Sequence, residues 1–316
     1  MSPVSTKFFF DACYGNYAIA AVNVFNMEQV HAVFASAQKA ASPVIIQITP
    51  VARNYAHPAM MLSMVKAASE IYPEVWHSVH LDHGNEEHVY PAINEGYNSV
   101  MIDASHDDFE TNVARTKAVA KQAHEQNICV EAELGILSGV EDELDIEAGR
   151  ATYTDPEQAA KFVSLTGCDS LAVAVGTSHG AYKFSGGKGL QFEVLEKIRK
   201  KLPGFPLVLH GASLVNKQDV ERINRHGGNL QQEAGGVTRE ALQRAIHLGV
   251  CKVNIATDLR LLWARVHREF FSNHPEQFDP IVPGREYRQA CMDMLMERYE
   301  ILGSAGKAKT MKAINI

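Results

Sequence analysis

Short runs rich in valine and isoleucine alternate along the chain with stretches whose apolar residues recur every three or four positions. The runs cover 18–24, 42–49, 75–83, 97–105, 128–135, 170–180, 205–213 and 250–258. The helically spaced stretches cover 27–41, 86–96, 108–126, 155–167, 190–202 and 238–249. The first set reads as strands and the second as amphipathic helices. Strands apolar on nearly every residue are buried on both faces, as in a parallel sheet. Eight of them with helices between predict an α/β fold, the TIM (β/α)8 barrel. An open doubly wound sheet competes, but the first strand-to-helix junction lacks GxGxxG and almost every run ends in polar residues. The tail around REFFSNHPEQF and YRQACMDMLMERYEIL predicts extra C-terminal helices that cap the barrel or pack across a partner subunit. No linker or low-complexity segment divides the chain, so one domain over 1–316 is expected.

Polar residues at the ends of the runs carry the chemistry. Asn23, Asp82, His83, Asp103, Glu131, Glu133, His179, His210, Ser213, Asn254 and Asp258 fall at or just beyond C-terminal strand ends. A barrel gathers those ends onto one face, where its active sites are built. Three histidines share one setting: His83 in HLDHG, His179 in GTSHG and His210 in LHGAS each end an apolar run and precede glycine. Three histidines with an open fourth position suit a catalytic zinc ion; core or capping histidines are the plainer alternative. His80 should point away from its neighbour, toward packing or support. Asp82, beside His83, could orient a metal ligand, exchange a proton next to a metal-held oxygen, or cap a helix.

Composition narrows the partners. The 316 residues carry a net charge of -7, which offers no basic field for a nucleic-acid backbone. An anionic substrate therefore needs its own local positive pocket. The five cysteines lie far apart with no CxxC pair, as buried free thiols do. The start, MSPVSTKFFFDACYGN, lacks the apolar core of a signal peptide, and no segment reaches a bilayer span, so a cytoplasmic protein without membrane contact is expected.

Two stretches, VHLDHG (79–84) and VEAELGILSGVE (130–141), resemble the class II (metal-dependent) ketose-bisphosphate aldolase family. NVFNMEQ (23–29), MIDASH (101–106), GTSHGAYK (176–183), LHGAS (209–213) and KVNIATD (252–258) support the resemblance in family order over nearly the whole chain. It implies zinc-dependent aldol cleavage of a ketose 1,6-bisphosphate and its reverse. By family role His83, His179 and His210 become the zinc ligands and Asp82 the acid/base at the C4 hydroxyl. Glu141, in the polar loop 138–150, becomes the carboxylate that exchanges a proton on the ketone-derived half. Asp103 and Glu133 match positions that can hold a second divalent ion or a monovalent cation. Cleavage of C3–C4 leaves a carbanion beside a carbonyl, which a Lewis acid stabilises. A lysine Schiff base would need a desolvated lysine at a strand end, and Lys252 starts its run instead.

The resemblance places one phosphate among Gly180, Lys183, Gly211, Ser213 and the 254–257 turn with Asn254 and Thr257, and the other at Arg260, with Arg53 as a helper. Asn23 and Thr49 are expected to meet substrate oxygens. Two positions depart from the fructose-specific pattern: Ala256 stands where aspartate is usual, and QITPVAR (47–53) replaces a serine- and glycine-containing loop. Ala256 resembles the tagatose type, whereas HGAYKF and TDLR resemble the fructose type. Fructose 1,6-bisphosphate is the expected substrate, with tagatose 1,6-bisphosphate or another phosphorylated ketose or keto acid as alternatives. A metal-dependent isomerase or sugar-phosphate hydrolase, or a noncatalytic binding barrel, are the readings of other classes. The expected assembly is a homodimer or homotetramer.

Overall fold

Parallel strands close on themselves when each can hydrogen-bond two neighbours, and this chain supplies eight such strands. The computed structural model describes residues 2–141, 144–146, 152–179, 189–230 and 236–314, with 138–141, 144–146, 179 and 312–314 given by backbone alone. The first half runs α1 Thr6–Cys13, β1 Ile19–Asn23, α2 Met27–Ala40, β2 Val44–Ile48, α3 Pro50–Ala56, α4 Pro58–Ile71 and β3 His77–Gly84. It continues with α5 Glu86–Glu95, β4 Ser99–Ile102, α6 Phe109–His124, β5 Cys129–Leu134, β6 Ser138–Glu141 and β7 Leu144–Ile146. Then come α7 Pro156–Thr166, β8 Ser170–Val173, β9 Ser178–His179, α8 Phe192–Lys201, β10 Leu207–Leu209 and α9 Lys217–Arg225. The chain ends with α10 Arg239–His247, β11 Val250–Ile255, α11 Thr257–Asn273, α12 Ile281–Ile301 and α13 Ala308–Ile314.

The strands form a closed parallel barrel in the order β1-β11-β10-β8-β5-β4-β3-β2, as the alternating pattern predicts. An open sheet is thereby excluded. Outward residues such as Val22, Ile46, Leu81, Val100, Val130, Leu171, Leu209 and Val253 join one large cluster with the helices. At the N-terminal end Ile19, Ala21 and Ile45 meet Phe9, Phe10 and Cys13 of α1, which plugs the barrel floor. Several helices begin on side-chain caps: Asn26, Asp108 and Asp155 accept from the backbone N–H of Gln29, Thr111 and Gln158.

The C-terminal helices pack on their own barrel. The Tyr287 hydroxyl on α12 accepts from Gln29 Nε2 (2.8 Å) and donates to the Leu259 carbonyl (3.1 Å), clipping α12 to α2 and α11. Ala308 and Met311 of α13 reach the cluster at the barrel floor. Among the described residues no helix is long and apolar enough to cross a membrane.

Two segments differ from the expectation. The run 170–180 divides: β8 stays in the barrel, while β9 pairs with β6 in a separate sheet of order β7-β6-β9. Gly176 makes the turn between them at φ +98°, where a Cβ would lie 2.5 Å from the Gly189 carbonyl oxygen. The expected loop after β5 contains the antiparallel pair β6–β7. Prolines obscure helices α3 and α4 in the sequence, yet the structure places them at first helical positions, where no N–H is needed.

Candidate metal centre and active site

Adjacent strand residues normally point to opposite faces, so Asp82 and His83 should not share a site. The pairing of β3 with β4 shifts register between Leu81 and Gly84, and His83 adopts φ +47°. This bulge turns the His83 side chain onto the rim beside Asp82, at a backbone cost of about 1–2 kcal/mol for a left-handed residue. Gly84 is required next, because a Cβ there would lie 2.8 Å from the Met101 carbonyl oxygen and 2.6 Å from Leu81 Cδ2.

His210 follows β10 and is fully buried. Its Nε2 lies 2.9 Å from Glu131 Oε1, and His83 Nδ1 lies 2.8 Å from Asp103 Oδ2. Each ring therefore donates its outer N–H to a carboxylate. The inner nitrogens, His210 Nδ1 and His83 Nε2, face each other at 2.9 Å. Two lone pairs at that distance repel unless a cation shares them. Two imidazole ligands of one tetrahedral zinc ion stand about 3.3 Å apart, so these residues fit the ion. Burial and the adjacent His83 hold His210 below the ordinary histidine pKa, against the pull of Glu131, and keep it in the neutral, metal-binding form. Burial alone would raise Asp103, but the hydrogen bond and charge of His83, with two bonds from Ser105, hold it below the usual carboxylate range.

Asp82, Asp103 and Glu133 complete two overlapping groups. The candidate ligand atoms of Asp82, His83 and His210 lie within 4.8 Å of one another, as do those of His83, Asp103 and Glu133. Asp82 is fully buried, and three amides from three strands hold its carboxylate. Asn23 Nδ2 (2.8 Å) and Gln47 Nε2 (3.2 Å) donate to Oδ2, and Asn254 Nδ2 (3.2 Å) donates to Oδ1. Gln47 Nε2 also donates to Asn23 Oδ1 (2.8 Å), which fixes the Asn23 amide's orientation.

The backbone brings His179 to the same region. It pairs opposite Gly139 in the small sheet, and the preceding Ser178 packs against Gly211, the residue after His210. Gly211 has φ +58°, and a Cβ there would stand 2.5 Å from the Ser178 carbonyl oxygen. The side chains of His179 and Glu141, and Gly180 and Lys183 altogether, lie outside the described residues. Ser213 and Asn254 are buried at the rim, and Thr257 opens α11, whose N-terminus has no side-chain cap. Arg260 is exposed in the first turn of α11, with its guanidinium 5.8 Å from the Phe25 ring. Thr49 is buried, and its hydroxyl accepts from the Ala52 N–H as the N-cap of α3. Arg53 is not on the rim. It is buried, paired with Glu95 at 2.9 Å and stacked over Tyr97, so its role is structural.

Below the rim the barrel interior is polar. Lys252 is fully buried, with Nζ 2.8 Å and 3.0 Å from the two Glu131 oxygens and 3.3 Å from His80 Nε2. His80 Nδ1 in turn meets Ser99 Oγ at 2.8 Å. Burial and Lys252 push His80 down to about 3. Glu131 would be raised by burial, but Lys252 and His210 hold it below the ordinary range. Lys252 is thus a desolvated barrel lysine after all, but an ion-paired one beneath the rim. Gln47 is a further member of the site that the strand-end pattern misses. Its one signal in the sequence is a glutamine inside the otherwise apolar run VIIQI.

A closed parallel barrel whose strand ends gather imidazoles and carboxylates around one buried acid defines a metal-dependent barrel enzyme. The family model "Fructose-bisphosphate aldolase class-II" matches residues 4–307. A fructose-bisphosphate aldolase of Thermus caldophilus is 43% identical over 297 residues, covering 92% of this chain and 95% of that one. One from Giardia intestinalis is 41% identical over 305 residues, covering 95% and 92%. The crystal structure of the YdjI aldolase from Escherichia coli K12 superposes with a TM-score of 0.77 at 34% identity, over 96% of this chain and 99% of that one. The chain belongs to the class II fructose-bisphosphate aldolase family.

Proposed function

We propose that this rim carries out the reversible aldol cleavage of fructose 1,6-bisphosphate to dihydroxyacetone phosphate and glyceraldehyde 3-phosphate, on a zinc site of His83, His179 and His210. The observation that carries the reading is the Asp82 carboxylate, buried and held by three amides beside the facing nitrogens of His83 and His210. When bound, zinc supplies Lewis acidity that stabilises the negative charge developing on the ketone-derived half. Asp82 takes the proton from the C4 hydroxyl as the aldehyde forms and returns it in synthesis. Asn23, Gln47 and Asn254 donate to that carboxylate and fix the direction in which its oxygens face the site. Glu141 exchanges the proton on the ketone-derived half. Asp103 and Glu133 hold a second divalent ion or a monovalent cation.

Gly180, Lys183, Gly211, Ser213, Asn254 and Thr257 bind the phosphate of that half, supported by the uncapped N-terminus of α11. Arg260, on the same helix turn, takes the far phosphate, and Thr49 contributes through its backbone while its hydroxyl caps α3. The unit is a single domain, supported by the family match across the barrel. The protein works in the cytoplasm, consistent with five buried free thiols. A homodimer or homotetramer would cover the apolar groove of about 590 Å³ between α2, α4 and α12, lined by Met27, Met64 and Ile281.

The test is kcat/KM of zinc-loaded protein on fructose and tagatose 1,6-bisphosphate in parallel. Triose phosphates released with preference for fructose are expected. Release of inorganic phosphate would indicate a hydrolase, and a tagatose preference would transfer the specificity to Ala256 and the 49–51 loop. Chelation should abolish cleavage, and added zinc should restore it.

A further inference from the structure

We infer that Glu131 and Lys252 form a buried positioning pair that locks His210 into its Nε2–H tautomer, so that the ring meets the metal through Nδ1. The inference rests on the reading of His210 as a zinc ligand. A neutral imidazole has one N–H and one lone pair, and whatever its far nitrogen bonds decides which end binds the ion. Here Glu131 Oε1 sits 2.9 Å from His210 Nε2, while Nδ1 faces His83 at 2.9 Å and has Glu133 Oε2 only at 3.6 Å, beyond hydrogen-bond distance. A carboxylate can only accept, so it fixes the proton on Nε2 and leaves the lone pair on Nδ1.

The carboxylate must itself be held in place to aim an oxygen at Nε2, and Lys252 holds it. Its ammonium reaches both Glu131 oxygens, at 3.0 and 2.8 Å, in a setting where neither side chain is more than 1% exposed. The grip is reinforced from the side by His80 Nε2, 3.3 Å from Nζ, with Ser99 Oγ holding the opposite ring nitrogen. The three strands β3, β5 and β11 thereby set the direction of a ligand carried by β10. The barrel interior at this level gives up the apolar packing usual in such folds to make room for the pair.

Substitution Glu131→Gln gives the element one acceptor oxygen for two donors. The ammonium of Lys252 claims that oxygen, which turns the amide N–H₂ toward His210 and favours the Nδ1–H tautomer. The expected result is zinc binding about 10–100-fold weaker, the range lost when such outer partners of metal ligands are removed. In the double variant Glu131→Gln/Lys252→Met the oxygen is released to accept from His210 Nε2–H. Zinc affinity should then recover to within about threefold of the parent protein, a rescue that a merely structural ion pair would not give. Affinity is read by competition with a chromophoric chelator. The tautomer is read independently by nitrogen-15 NMR of histidine-labelled, metal-stripped parent protein.

Glu131→Gln binding zinc as tightly as the parent, a double variant no tighter than the single, or an Nδ1–H signal for His210 in the parent would overturn the inference. If either variant fails to fold, the NMR measurement on the parent still decides. Failure of the parent protein to bind zinc or cleave the bisphosphate would instead overturn the functional reading.

Discussion

Replacing Asp82 by asparagine separates the proposed acid/base role from the structural one, because the surroundings can absorb the change. In Asp82→Asn the new amide, with its oxygen in the Oδ2 position, keeps the bonds from Asn23 (2.8 Å) and Gln47 (3.2 Å). Its N–H₂ then replaces Oδ1 and meets the Asn254 donor, which stands 3.2 Å from that oxygen in the parent protein. Asn254 Oδ1 has no hydrogen-bond partner among the described residues, so a half-turn of that amide presents an acceptor instead. Three charge-assisted bonds become neutral ones, a loss of about 1 kcal/mol each, while the desolvation cost of a buried carboxylate disappears. The two nearly offset, and stability should change by less than about 1 kcal/mol. The lost proton transfer should lower kcat by about 10²–10⁴-fold. The assay follows dihydroxyacetone phosphate release by coupled NADH oxidation, with zinc content and urea midpoint measured on the same preparation. A variant with full zinc content and kcat within about tenfold of the parent would refute the proton-transfer role. A stability loss above about 3 kcal/mol would show that the surrounding amides cannot readjust.

Other outcomes follow from single features of the rim and the interior. Ala256→Asp should add a side-chain cap to α11, which has none, and stabilise by about 1 kcal/mol, visible as a Tm increase of about 2 °C. The same variant should raise discrimination between the C4 epimers in the paired kcat/KM assay, and an unchanged ratio would remove Ala256 from specificity. Gly211→Ala should cost at least about 1–2 kcal/mol for its left-handed backbone and should weaken zinc binding by pushing on Ser178; chemical unfolding and chelator competition check the two parts. For metal-stripped protein, His80 is held at about 3 when folded but titrates near 6.5 when unfolded. The unfolded chain then gains protons first, so stability falls as pH drops below 6.5, by about 2 kcal/mol at pH 5 from this group. The lowered Glu131 and Asp103 contribute a loss only further down, below the ordinary carboxylate range, so urea midpoints that stay flat from about pH 7 to pH 5 would contradict the His80 placement.

Much of the barrel is legible in the sequence because burial on both faces forces nearly continuous apolar runs, and the strand ends break that pattern with polar residues. His83, Asp103 and His210 are visible for that reason. What stays hidden depends on contacts across the barrel. Lys252 looks unremarkable at the third position of β11 until closure brings it opposite Glu131, a residue more than a hundred positions earlier. Gln47 shows only as a polar residue in the apolar run VIIQI, and the Asp82 carboxylate it shares with Asn23 is met only once the strands pair. Helix α1 is unreadable because an FFF run has no polar face to reveal a period, and its partner surface exists only once the barrel floor has formed. Arg53 misleads because sequence shows charge but not the buried Tyr97 and the nearby Glu95 that occupy it.

The bulge in β3 has a mechanical consequence. Because Asp82 and His83 are successive residues, their Cα atoms are joined by one planar peptide unit, about 3.8 Å long and effectively inextensible. When neighbouring strands slide or the barrel breathes, Asp82 and His83 are carried together as a single rigid unit. By contrast, the distances from Asp82 to His210 and from His83 to Asp103 each span two separate elements and change with the breathing. The spacing between the proposed acid and the proposed metal ligand beside it is therefore the one that thermal motion of the scaffold disturbs least.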